Sequence, residues 1–305
     1  MINFNRRKFL KATTLLMATP FVPTLFNMKK NKPLLSFSTL GCPDWNFQKI
    51  TDFAVQNNYK GIELRGLLRE MDLTKCPEFN TPQNIAATLS MMKDKNLAFV
   101  DLGSSASLHI ADSAERKKNL DEAKRFIDLA QQINCPYVRV FPNNFPKDKD
   151  KSETMDLMIK GLLELGDHAK GSNVSTLVET HGDLVWSDDI VKVMQSAFNE
   201  HTGLVWDVTN MWSITKEPPE DVYNKLKKYI RHTHIKDLKM IDGKEHYELL
   251  GRGEVPIFTA IDALQNGGYK GYYSFEWEKL WHPEIDEPEV AIADYSKVML
   301  EHFNK

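Results

Sequence analysis

Glu179, Asp207, His234 and Glu276 each close a separate short apolar run, over residues 174–179, 203–207, 230–234 and 272–276. The runs have the composition of buried strands, and each ends in a group that a hard or borderline cation can bind. Buried carboxylates and imidazoles cost free energy unless something pairs with them, and one divalent ion would pair with all four. Taken singly, a strand-end acid often caps a helix or pairs with a lysine, and a buried His is more often a hydrogen-bonded core residue. Four such endings in succession favour a shared metal site. Three carboxylates and one imidazole, completed by water or substrate oxygens, suit Mn²⁺ or Mg²⁺ first, with Zn²⁺, Co²⁺ and Ni²⁺ as alternatives.

Such residues need a scaffold that ends several strands at one face. From Pro33 onward, short apolar stretches alternate with longer amphipathic ones about eight times, the pattern of successive βα units around a parallel sheet. The expected strands are 34–40, 61–64, 97–102, 137–141, 174–179, 204–207, 230–236 and 271–276, and the expected helices 47–58, 81–95, 114–133, 153–170, 187–199, 219–228, 256–266 and 288–302. Ser187-Asp188-Asp189, Pro219 and Pro256 suit first helical turns, and Asn266-Gly267-Gly268 suits a helix end. The count and length predict an α/β fold, a single (β/α)8 TIM barrel, whose carboxyl face carries the site. An open doubly wound sheet would leave the convergence of four ligands unexplained, and no Gly-rich phosphate fingerprint follows the first strand. Period-two alternation places His181 with Glu179, Lys236 with His234, and His232 one layer deeper as a core histidine.

A net charge of −3 and a pI near 6.3, without a sustained basic stripe, argue against nucleic acid as a partner. Residues 1–32 are expected to be a leader, and residues 33–305 the barrel. Arg6-Arg7-Lys8-Phe9-Leu10-Lys11 is a twin-arginine pattern followed by an apolar stretch that Pro20 and Pro23 interrupt. The expectation is export to the periplasm through the twin-arginine machinery, with no permanent membrane span unless an uncleaved leader anchors the chain. Three cysteines are too few for a disulfide scaffold. Cys42 and Cys76 fall in loops where one bridge could form, and Cys135 is expected to be a buried thiol.

Gly61-Ile62-Glu63-Leu64, Val178-Glu179-Thr180-His181, Trp206-Asp207-Val208-Thr209-Asn210, His234-Ile235-Lys236-Asp237, Gly251-Arg252-Gly253-Glu254-Val255 and Ser274-Phe275-Glu276-Trp277 occur in that order. In this series the chain resembles the sugar phosphate isomerase/epimerase superfamily, the xylose isomerase-like TIM barrels. The resemblance implies that Glu179, Asp207, His234 and Glu276 bind the metal. It also implies that Glu179 and Glu276 move the proton α to a carbonyl, through an enediolate, on a keto-sugar or sugar derivative. His181, Lys236, Asn210, His109, Glu63, Arg252 and Trp45 are the expected substrate contacts. Trp212 and Trp281 are further loop aromatics that could stack on a sugar, and Arg65 and Arg139 could contact hydroxyls or carboxylates. Many relatives have His where this chain has Asn210, a poor metal ligand, which weakens an endonuclease reading. A lyase or dehydratase using the same metal and glutamates, on a 3-keto-glycoside or keto-polyol, is the alternative activity. A non-catalytic carbohydrate-binding barrel is the alternative of another class. A homo-oligomer is left open.

Overall fold

The computed structural model describes residues 32–305, so the twin-arginine leader reading lies outside the described residues. Strands β1 (Leu34–Ser38), β2 (Gly61–Leu64), β3 (Ala98–Ser107), β4 (Tyr137–Phe141), β5 (Ser175–Glu179), β6 (Thr202–Asp207) and β7 (Ile230–Ile235) are followed by a hairpin, β8 (Asp237–Ile241) and β9 (Lys244–Glu248), and by β10 (Tyr272–Phe275). Strands β1 to β7 pair in chain order, and β10 closes the barrel between β7 and β1, every pair parallel. The alternation in the sequence predicts this TIM barrel.

Helices α1 (Phe47–Gln56), α2 (Pro82–Asp94), α3 (Ser113–Gln132), α4 (Lys151–His168), α5 (Ser187–Ala197), α6 (Val208–Thr215), α7 (Pro219–Leu226), α8 (Ile257–Asn266) and α9 (Pro288–Phe303) connect the strands. Local chemistry sets many of their starts. Asn46, Thr81, Asp112 and Asp150 each accept from backbone N–H groups of the first turn, which satisfies donors that the helix cannot. Helix α5 borrows its cap. Ser187 is already helical, and Glu217 accepts from its N–H at 3.1 Å and its hydroxyl at 2.6 Å.

Two elements depart from the expected pattern. Helix α6 starts directly after Asp207, whose side chain accepts from Asn210 N at 2.8 Å and caps it. The charged stretch after β7 forms the β8–β9 hairpin, turned at Asp242 (φ 51°) and Gly243 (φ 74°), the left-handed pair that an Asp-Gly hairpin turn uses. Strand β3 also runs on to Ser107, with an irregular register between Gly103 and Ser107.

Registers divide the side chains between two faces. Phe37, Ile62, Leu64, Val138, Val140, Val178, Leu204 and Trp206 are buried in the hydrophobic core. Alternating positions, including Ser36, Glu63, Asp101, Arg139, Glu179, Asp207, His232, His234 and Ser274, are equally buried but polar. The barrel interior is thus a stack of polar groups leading up to the carboxyl face, held rigid by an apolar jacket. Cys42, Cys76 and Cys135 are all buried free thiols, so Cys42 and Cys76 form no bridge. Burial pushes the Cys76 thiol up to about 12, which leaves it unreactive near neutral pH. No helix among the described residues is long and apolar enough to cross a membrane.

Candidate metal centre

Strands β5, β6, β7 and β10 are consecutive neighbours in the barrel, so their carboxyl ends share one quadrant. Asp207 pairs in register with His234, and His234 with Ser274, two residues before Glu276. From His234 Nδ1 the nearest carboxylate oxygens are Glu276 Oε1 at 3.2 Å, Glu179 Oε1 at 3.6 Å and Asp207 Oδ2 at 3.8 Å. Donor atoms of all four residues lie within 4.8 Å of one another, and every one of the residues is buried. Ligands bound at ~2.1 Å to one ion stand about 3.0–3.4 Å apart, so small side-chain adjustments would seat a divalent cation. His234 Nδ1 is buried without a hydrogen-bond partner among the described residues, whereas Glu179 Oε2 and Asp207 Oδ2 meet the cations Arg139 and Lys236. A buried imidazole nitrogen left open among three carboxylates fits a metal ion.

Beneath them, Glu63 sets the orientation of His234. Its Oε2 lies 3.2 Å from His234 Nε2 and accepts from His232 Nε2 at 2.9 Å and Ser274 Oγ at 2.8 Å. With Nε2 turned to Glu63, Nδ1 is the nitrogen that faces the three carboxylates. Glu63, His232 and His234 could also be grouped as metal ligands. Their direct N···O contacts lie one layer below the mouth, and we read them as a support for the upper site. Sequence reading placed Glu63 at the substrate; the structure puts it a layer below, where a fully buried carboxylate meets two imidazoles.

Cations bracket the catalytic candidates. Lys236 Nζ lies 2.5 Å from Glu276 Oε2, 2.8 Å from Asp207 Oδ2 and 2.9 Å from Glu278 Oε1. Arg139 Nε lies 3.1 Å from Glu179 Oε2, while its Nη1 donates to Ser104 O at 2.8 Å. Burial favours a neutral Glu276, but His234 and Lys236 outweigh it and hold its carboxyl well below the usual range. Asp207 goes the other way: burial, helped by Glu276 and Glu179 and only partly offset by Lys236, pushes it up to about 7. Burial also opposes the charged form of Lys236, and the Asp207, Glu276 and Glu278 carboxylates more than restore it.

The other expected contacts divide into two groups. Asn210, in the first turn of α6, donates to Glu179 Oε1 at 3.4 Å. His181 meets Phe141 in a tilted contact with ring centres 4.9 Å apart, and its buried Nδ1 has no partner among the described residues. His109, just past β3, is half-buried, and burial lowers its pKa. Trp45, by contrast, is 5% exposed, packed on Phe53 at 4.9 Å and covered by Lys49 at 4.2 Å. Arg252 is 57% exposed and paired with Asp294 of α9 at 2.8 Å. Its motif has a structural explanation: Asp237 accepts from Leu238, Gly251, Gly253 and Val255 N–H groups, wrapping 251–255 around one carboxylate. Glu278 was missed from the sequence, although period two from Glu276 would have reached it.

A parallel barrel gathering three carboxylates and an imidazole at its carboxyl face is a metal-binding TIM barrel. The chain belongs to the xylose isomerase-like TIM barrel family, whose sequence pattern matches residues 51–300. It is similar to the 3-dehydroshikimate dehydratase of Bacillus anthracis, 22% identical over 226 residues that cover 71% of this chain and 78% of that one. Fructoselysine 3-epimerase of Shigella flexneri is 22% identical over 204 residues, covering 65% of this chain and 70% of that one. Among solved structures, the IOLI protein with a bound zinc atom superposes with a TM-score of 0.74 at 17% identity, covering 89% of this chain and 98% of that one.

Proposed function

We propose that this protein is a divalent-metal-dependent epimerase or isomerase of a keto-sugar or sugar derivative, exported by the twin-arginine route. The observation that carries the reading is the pairing of the two glutamates with separate cations on either side of the open His234 Nδ1. Arg139 holds Glu179 Oε2, leaving Oε1 toward Asn210 and His234; Lys236 holds Glu276 Oε2, leaving Oε1 toward His234 Nδ1. Each glutamate therefore has one fixed oxygen and one that can face a substrate carbon. Both carboxyls are held below the usual range, so both are ionised at neutral pH and open to a proton. One glutamate takes the proton α to the carbonyl, and the other returns a proton to the same carbon from the opposite side or to its neighbour. A divalent ion held by Glu179, Asp207, His234 and Glu276 would supply Lewis-acid stabilisation of the negative charge that develops. Mn²⁺ and Mg²⁺ suit the donor set first; the relative with a zinc atom keeps Zn²⁺ in the series to be tried, with Co²⁺ and Ni²⁺.

A second reading has a specific support. The Bacillus anthracis relative is a dehydratase, and the Lys236 ammonium beside Glu276 can protonate a departing oxygen. A lyase would share the first proton removal and differ only in expelling a β-substituent.

The test is incubation of metal-loaded protein with ketoses and a 3-keto-glycoside in D₂O. Solvent deuterium at the α carbon, reduced at least about 10²-fold in Glu179→Gln and Glu276→Gln, is expected; the product then separates epimer from elimination. No exchange with any substrate at full metal loading would replace the proposal with a sugar-binding role. For export, replacing Arg6 and Arg7 by Lys is expected to retain the protein in the cytoplasmic fraction, and unchanged fractionation would remove that part.

A further inference from the structure

Arg65 follows β2 and, by period two from Glu63, points into the barrel mouth one layer above the Glu63 network. It is 7% exposed, and its buried Nη1 has no hydrogen-bond partner among the described residues. A buried guanidinium without an acceptor is costly, because its five donors are stripped of water. Arg139, next to it, shows what a charge-balancing arginine looks like here: it makes an ion pair with Glu179 and donates to Ser104 O. Arg65 feels Glu179 and Glu276 electrostatically but makes neither contact. Its guanidinium instead stands 5.9 Å from the centre of the Phe141 ring, which Arg139 covers at 3.8 Å and His181 meets at a tilt. The chain makes room for this arrangement at Gly103. A Cβ there would meet Arg65 Cδ at 2.7 Å and Arg139 Nη2 at 2.8 Å.

We propose that Arg65, at the edge of the Phe141 ring that Arg139 covers, is a carboxylate-binding subsite, so that the substrate is an anionic keto-sugar or keto-polyol whose carboxylate lies on the β2–β4 side of the mouth. A planar guanidinium with free donors matches a carboxylate bidentately. The neighbouring ring excludes water and strengthens the pair. The carboxylate end is thereby anchored on one side of the mouth, and the keto end reaches Glu179 and Glu276 on the other.

This inference rests on the keto-sugar reading above, and the experiment keeps the two apart. Metal-loaded protein is titrated calorimetrically with D-fructuronate and with D-fructose, which differ by one carboxylate. Binding of the uronate at least about tenfold tighter is expected, with the preference falling to about twofold or less in Arg65→Met and partly returning in Arg65→Lys. Unchanged metal content and thermal midpoint certify the variants, and Arg65→Gln is read should Arg65→Met not fold. Equal binding of the two sugars, binding of neither, or a preference that survives Arg65→Met each overturns the subsite. Deuterium exchange in the same samples reads the proton-transfer chemistry separately: exchange without a uronate preference sinks the subsite alone, and preference without exchange sinks the catalytic reading alone.

Discussion

Glu63 Oε2 stands 3.2 Å from His234 Nε2, on the side of the ring opposite the three carboxylates. One buried oxygen, shared with His232 and Ser274, therefore fixes which imidazole nitrogen is offered to a metal.

Replacing Glu63 by Gln exchanges an obligate acceptor for an amide that must turn one way or the other. Metal affinity is expected to fall about 10- to 100-fold, measured by competition with a chelating dye. An affinity within twofold of wild type would show that His234 is oriented by its packing alone.

Asp207 has two jobs on one side chain: Oδ2 faces the metal site, and Oδ1 caps α6 through Asn210 N. Asp207→Asn is expected to lose metal while keeping the cap. Asp207→Ala loses both and is less stable than Asp207→Asn by about 1 kcal/mol. Denaturant unfolding of the two metal-free variants checks this, and equal stabilities would remove the capping role.

Lys236 is the ammonium among Asp207, Glu276 and Glu278. Lys236→Met leaves buried carboxylates without their partner, at a cost of about 3–5 kcal/mol to the metal-free protein. Added Mn²⁺ is expected to restore part of that loss, because a second cation then occupies the same field. Thermal melts with and without metal decide, and a variant as stable as wild type without metal would show that the carboxylates are neutralised some other way.

Asp101 is fully buried with neither oxygen hydrogen-bonded among the described residues, and burial raises its pKa from 3.8 to about 6. The folded state then binds the proton more tightly than the unfolded one. Its contribution is complete below pH 4 and lost as pH rises through about 6. Asp101→Asn is expected to gain up to about 3 kcal/mol over wild type between pH 4 and pH 7, read by unfolding at both values. A difference that does not change with pH would mean that a buried proton donor outside the described contacts satisfies Asp101.

Much of the barrel was legible because its signals are local. Apolar runs of strand length, Pro219 in a first helical turn, and a ligand-type residue at the end of each of four runs all follow from neighbouring residues. So did the four ligands, since each strand delivers its last side chain to the same face. Helix α6 hid behind Asp207, because a strand that turns straight into a helix leaves no loop to mark the change. The β8–β9 hairpin carried its Asp-Gly turn in plain view, but its charged strands looked like loop. What only the tertiary structure decided is which charges meet. Arg139 and Glu179, Lys236 and Glu278, and Glu63 and His234 lie 40, 42 and 171 residues apart, and barrel closure and register set their contacts. The same closure spent Trp45 and Arg252 elsewhere and left Arg65 Nη1 without a partner among the described residues, since a side chain's neighbours across a closed sheet are fixed by strand order and stagger, which no local pattern encodes.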